Sequence, residues 1–305
     1  MRITRRGKFK RQKVFMVVSA FSLLLFFCVG YAAFSTSITL NAKGNVYSSS
    51  DITINDLKNL VVTTGDGLYV DVTENNRYVY KGADPDNYIT FNGENAGWRI
   101  VSIEPDGTIK IVRDNKLNDT MIWNSEEGNT SWHDSEVNGY LNGDYYNNLS
   151  STVKGQIQYH SWNIGSISSE DLENQNVNDF YNSEKSLTEL SNFGLLSLSD
   201  VIKAGIDNNC QSIYELFDVT VDTCFLNSYL VDSLLGSQEF SFLINPVDDY
   251  SLSGISNYLD GVDHYKLSAD LYSDFDFYVV PSVYLKSTTV FSGGNGTSQN
   301  PYVIK

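Results

Sequence analysis

Cysteine, histidine, proline and base are all scarce in this chain: three Cys, three His, five Pro, and 21 Lys and Arg against 37 Asp and Glu in 305 residues. Seven of the bases, Arg2, Arg5, Arg6, Lys8, Lys10, Arg11 and Lys13, precede Val14 with no acid among them. From Val14 onward 14 bases face 37 acids, so a net charge of −16 divides into a basic tip and an acidic body near −23. The acidic body excludes nucleic acid as a partner, because phosphate binding needs clustered Lys and Arg. The chain lacks an HExxH pair, a Walker or dinucleotide glycine pattern and a Gly-x-Ser-x-Gly elbow. No LPxTG signal is present, so covalent wall anchoring is not expected. A hydrophobic share of 41% with 13% aromatics excludes a wholly disordered chain.

What is present begins with Val14–Phe34, 21 residues without a charge directly after the seven bases. A bilayer-crossing helix needs about 20 apolar residues, and flanking bases stay cytoplasmic. The expected topology is N-in and C-out, either as an uncut single-pass anchor through residues 14–34 or as a signal peptide cleaved beside Ala32 and Ala33. Both place everything after Ser35 outside the cytoplasm, in the cell membrane or secreted. Cys28 lies in the apolar run, which leaves Cys210 and Cys224 as a pair in the exported part. A disulfide between them would close a 15-residue loop and contribute about 3 kcal/mol. Two Cys without a nearby His do not make a zinc site.

The expected organisation is residues 1–34 as the basic and apolar leader, 35–56 as a polar stalk and 57–305 as one extracellular α+β domain. A brief helix is expected over Ile54–Val62, capped by Asn55 or Asp56. Runs at Leu68–Val72, Tyr78–Tyr80, Tyr88–Phe91, Trp98–Ile103 and Thr108–Val112 are separated by Asn92-Gly93 and Pro105-Asp106-Gly107. They read as an antiparallel meander. Val137, Tyr140, Leu141 and Tyr145 recur at helical spacing after Asp134 or Ser135, and a further helix starts at Ser150 or Ser151. Ile157–Trp162 and Leu195–Ser197 read as strands, Ser199–Ala204 as a helix stopped at Gly205. Phe240–Ile244, Phe275–Leu285 as a buried strand with Pro281 marking an edge or bulge, and Tyr302–Ile304 return to strand. Strands, then helices, then strands indicate an α+β core shared by the N-terminal meander and the C-terminal strands.

Several stretches together are similar to exported surface proteins of Gram-positive gut bacteria that carry a domain of unknown function. They are Gly30–Ser37, Phe91 through Trp98–Val101 to Asp106–Ile111, Trp132 with Tyr140–Asn142 and Tyr145-Tyr146, Gly194–Ser197 with Ser199-Asp200, and Val283–Ser287 with Gly293–Tyr302. The resemblance implies a C-type-lectin-like fold. Two positions depart from it: Val280 precedes Pro281 where such proteins often have Arg, and Phe242 stands where they often have Trp.

The residues give few chemical candidates, and catalytic residues are not assigned. His133 beside Asp134 at a helix start is one ligand-binding candidate. Trp123, in the polar setting of Asn118-Asp119 and Asn124-Ser125, is the other and is the tryptophan to test for exposure; Trp98, Trp132 and Trp162 read as core. No cofactor is expected apart from a candidate calcium, for which Asp84, Asp86, Asp260 and Asp263 lie in Asp- and Asn-rich loops. The expected task is recognition, adhesion or envelope assembly without catalysis, with an envelope component or an environmental or host glycan or protein as partner. Two alternatives are a glycan- or peptidoglycan-active hydrolase using paired carboxylates, and a structural subunit polymerising through edge strands such as Tyr302–Ile304.

Overall fold

A computed structural model describes residues 51–168, 177–205, 228–234, 240–247, 251–259, 263–271 and 273–305. The basic tip, the apolar run, Ala32, Ala33, Cys28, Cys210, Cys224 and Asp260 lie outside these residues.

The folded unit starts earlier than Leu57. Strand β1 (Ile52–Thr53) pairs with Phe291 and Val290, so this end of the expected stalk is part of the domain. Helix α1 (Ile54–Lys58) follows, and its cap is neither Asn55 nor Asp56. Thr53 takes the N-cap, its hydroxyl accepting from the Asp56 N–H while the Asp56 carboxylate accepts the Thr53 N–H. This reciprocal box satisfies two donors at the helix start, with Asp56 three residues in, where the helix dipole favours an acid.

Strands β2 (Gly67–Val70), β3 (Tyr78–Lys81), β4 (Tyr88–Phe91), β5 (Glu94–Ile103) and β6 (Ile109–Arg113) occupy the expected positions. The β4–β5 turn has Asn92 at φ 52° and Gly93 at φ 78°, the left-handed pair a two-residue hairpin needs. At the β5–β6 turn Gly107 has φ 87°, and Asp106 Oδ1 accepts from the Thr108 N–H and hydroxyl. The order is nevertheless not a simple meander. β5 is ten residues long, and its first half pairs with β4 while its second half pairs with β3, so β3 and β4 share one partner.

β7 (Met121–Ile122) leads to helix α2 (Glu136–Tyr140), capped by Ser135 and continued by a π-helical turn over Leu141–Tyr145. Helix α3 (Ser151–Gln156) is capped by Ser150. β8 (His160–Asn163) begins three residues later than expected. Helix α4 (Val177–Glu184) precedes β9 (Thr188–Ser191) and β10 (Phe193–Gly194), the latter just before rather than over Leu195–Ser197. Gly194 is required there, because an added Cβ would sit 2.5 Å from the Trp162 ring. Helix α5 (Leu198–Lys203) is boxed by Ser197 and Asp200 and capped at Ala204, before Gly205.

After helix α6 (Tyr229–Leu234), strands β11 (Phe240–Val247), β12 (Ser251–Leu259) and β13 (Asp263–Leu271) form an antiparallel sheet. Phe275–Leu285 is not one strand. β14 (Asp276–Phe277) pairs with β7, Val279 and Val280 are buried outside any strand, and β15 (Ser282–Leu285) resumes after Pro281, which has no N–H for a ladder. β16 (Val290–Phe291) and β17 (Tyr302–Val303) close the chain. The main sheet runs β10-β15-β6-β5-β3-β2, with β4 on β5 and β17 parallel to β4. This shared sheet puts the N-terminal and C-terminal strands over one core.

β17 is not a free edge. One side pairs with β4, and on the other Val303 N–H donates to Gly293 O, Val303 O accepts from Ser292 N–H, and Ile304 bridges Phe291. Strand-by-strand polymerisation through Tyr302–Ile304 would have to break these bonds first.

At the two departures from the resemblance, Val280 is 1% exposed in the core. Phe242 is buried and packs edge-on against Trp123 at 5.3 Å and Phe277 at 5.0 Å.

Candidate functional site

All four tryptophans are core residues. Trp123 has no exposure and packs, tilted, with its ring centre 5.6 Å from that of Trp132, so the polar residues around it in sequence did not bring it to the surface. The indole N–H groups of Trp123 and Trp132 are buried without a hydrogen-bond partner. The loop that carries Trp123 inward does present its other residues outward. Asn124 Oδ1 accepts from the Glu126 N–H, and Ser273 Oγ accepts from the Gly128 N–H. Glu126 and Glu127, held by these turns, are exposed.

These two carboxylates line an open groove of about 460 Å³. The loop 126–132 forms one wall, and Ile164, Leu187 and Pro246 supply an aliphatic wall opposite it in chemical character. Leu187 is 59% exposed at this groove, and neighbouring Leu190 is 55% exposed. Trp132 also lines it but is only 2% exposed. The wall from β8 is held close to α4 through Gly165, whose N–H donates to Glu184 O and whose added Cβ would lie 2.2 Å from Ser183 O.

His133 sits one residue beyond the groove lining, with 75% of its side chain exposed and Nδ1 3.1 Å from Glu189 Oε1. The hydrogen bond and charge of Glu189 raise its pKa from the ordinary histidine value. His160 is better enclosed and stacks at 3.8 Å on Tyr284. Its Nδ1 donates to Ser161 O, and Nε2 lies 3.3 Å from Thr108 Oγ1 and 3.6 Å from Asp106. Acid and hydroxyl thus meet the same ring nitrogen, whereas a relay places them on opposite nitrogens. Thr108 is also 3% exposed, closed to an incoming substrate.

A second open cavity of about 480 Å³ lies between the Pro105–Gly107 turn and residues 287–290, beside α1. Of the calcium candidates, the described Asp84 and Asp86 are not among its lining residues. Asp84 faces Arg99 at 3.4 Å, and burial and the charge of Asp84 raise the Asp86 carboxyl from its ordinary value. Asp263 starts β13, and its side chain lies outside the described set. Among the described residues no three of His, Cys, Asp and Glu gather as a metal cage would require.

Sequence reading missed the largest concentration of buried charge among the described residues. Arg77 bonds Asp71 at 2.6 Å, Glu104 at 2.9 Å and Asp200 at 3.4 Å. Lys110 Nζ lies 2.5 Å from Asp200, and Lys203 Nζ lies 3.1 Å from Asp71. Three cations and three anions therefore balance beneath α5 and pin that helix to the sheet. Burial pushes the Asp71 carboxyl up, but Lys203 and Arg77 reverse this and hold it at about 2. Burial likewise opposes ionisation of Asp200, which Lys110 and Arg77 hold far below the carboxylate range. Lys203 is pushed down to about 8 by burial and by Arg77, against Asp71.

Glu184 is the seventh member, and among the described residues no cation lies within ion-pair distance of it. Its Oε1 accepts the Ser199 N–H at 2.7 Å, and Oε2 lies 2.5 Å from the Ser199 hydroxyl. Burial raises its carboxyl to about 7. The only sequence signal for this network was the spacing Ser197-x-x-Asp200, which marks a helix cap and gives no hint of Arg77 or Lys110.

No curated protein and no solved structure matches the chain. Residues 106–223 match the family model of a domain of unknown function, DUF6273, a stretch that includes the loop 126–132, both β8 and β9, and Asp200.

Proposed function

We propose that this chain is an exported surface protein whose folded unit recognises a partner at the cell envelope without transforming it. The groove carries the reading: about 460 Å³ open to solvent, lined by hydrogen-bonding turns and two carboxylates together with the exposed Leu187, the half-buried Pro246 and the buried Ile164. Such mixed concave surfaces suit ligand capture. Seven bases followed by 21 uncharged residues support delivery across the membrane, as an N-in anchor or a cleaved leader. The resemblance of its motifs to exported proteins with a C-type-lectin-like fold is in keeping with this role.

The full chain, purified in detergent and applied to arrays of glycans and of peptides, should retain a subset of spots. Replacing Leu187 by Asp should abolish that retention while leaving the melting temperature within about 2 °C, since a surface change costs about 0.5 kcal/mol or less. Retention indifferent to Leu187→Asp would refute the groove as the site. Turnover of a bound glycan that stops on Glu126→Gln or Glu127→Gln would instead make the chain a hydrolase.

A further inference from the structure

We infer that the groove's ligand is a basic stretch of polypeptide carrying an aliphatic residue beside its Lys or Arg. The inference rests on the recognition reading above and narrows it. Its first support is charge. Glu126 and Glu127 are both exposed, and the residues lining the groove include no Lys, Arg or His. His133 stands just outside and is already engaged by Glu189. A cation entering the groove therefore meets two carboxylates and no competing charge from the lining residues.

The second support is the kind of apolar surface on offer. Sugar rings are bound by exposed aromatic faces, and Trp132, the aromatic residue of this lining, is 2% exposed with its ring packed on Trp123. The accessible apolar surface comes from Leu187, with Pro246 half-buried beside the groove. Branched aliphatic carbon packs well against a Leu, Ile or Val side chain and offers nothing directional to a sugar hydroxyl. An extended peptide with alternate side chains can place a base at the loop and an aliphatic group at Leu187.

The test is an array of random nonapeptides probed with the full chain in detergent, followed by anisotropy titration of the best binder. Retained peptides should be enriched in Lys or Arg next to Leu, Ile or Val, and should lose affinity as salt rises from 50 to 500 mM. The double variant Glu126→Gln, Glu127→Gln should bind about tenfold more weakly or worse, from two partly exposed charge pairs. Both positions are exposed, so folding is checked by an unchanged melting curve, and Leu187→Ser gives an independent loss on the aliphatic side. Retained peptides without basic enrichment, or a double variant that binds unchanged, would overturn the inference. Glycan binding that depends on Leu187 with no peptide binding would overturn it too, while leaving the recognition reading standing.

Discussion

Replacing Glu184 by Gln should stabilise the protein at neutral pH and leave it unchanged in acid. Glu184 is 1% exposed, and its two oxygens are both spent on Ser199. The protonated carboxyl fits this site, and Gln reproduces its pairing, with the carbonyl accepting the Ser199 N–H and one amide N–H donating to the Ser199 hydroxyl. The folded-state value near 7 lies above the ordinary 4.5, so the folded chain holds this proton more tightly than the unfolded chain. Stability from the group is fully present below about 4.5 and is lost as pH rises through about 7. The gap corresponds to at most about 3 kcal/mol, at about 1.4 kcal/mol per pH unit. For a domain of this size that ceiling corresponds to about 6–12 °C in melting temperature. The assay is thermal unfolding of wild type and Glu184→Gln at pH 4.5, 6, 7 and 7.5, taking the difference between the two proteins at each pH. That difference cancels His133, Asp86 and the other titrating groups common to both. The two should melt together at pH 4.5 and separate by pH 7.5, with the variant higher. A constant difference across the series, or a variant less stable at pH 7.5, would refute the assignment of a buried neutral carboxyl.

Three further outcomes follow from the same structure. Arg77→Met should cost about 3–5 kcal/mol in urea unfolding, because Asp71, Glu104 and Asp200 would lose their shared cation in the interior. Gly165→Ala should lower the melting temperature and blunt ligand binding together, since the added methyl meets Ser183 O and Glu184 O and must push the Ile164 wall away from α4. Thr53→Ala should cost about 1 kcal/mol of stability by removing the cap of α1, while Asn55→Ala should cost less, because Asn55 is not the capping residue.

Local chemistry made part of this fold legible in the sequence. Asn92-Gly93 and Pro105-Asp106-Gly107 name their turns because left-handed backbone is cheap for few residue types, and Ser135 and Ser150 mark real helix starts because a hydroxyl there finds an orphan N–H, whereas Ser197, read as the end of a strand, is the cap of α5. Pairing was not legible. A ten-residue β5 serving β3 and β4 in turn leaves no trace in either partner's composition. β12 and β13 went unseen because Ser, Asn, Asp and Gly interrupt the apolar alternation on which a strand is recognised. Trp123 shows the same limit at the candidate site: polar neighbours in sequence are compatible with a buried ring when the loop turns the backbone outward. The groove depends on Leu187 and Pro246, 55 or more residues from the loop they face, so no local spacing could announce it. The ion network is non-local for the same reason, with Arg77 and Asp200 separated by 123 positions.

The measurement that bears most directly on the account is the affinity of the full chain for its array-selected ligand, compared between wild type and Leu187→Ser at matched melting temperature. The account predicts saturable binding by wild type and none by the variant over the same concentration range. Equal affinities for the two proteins would contradict it.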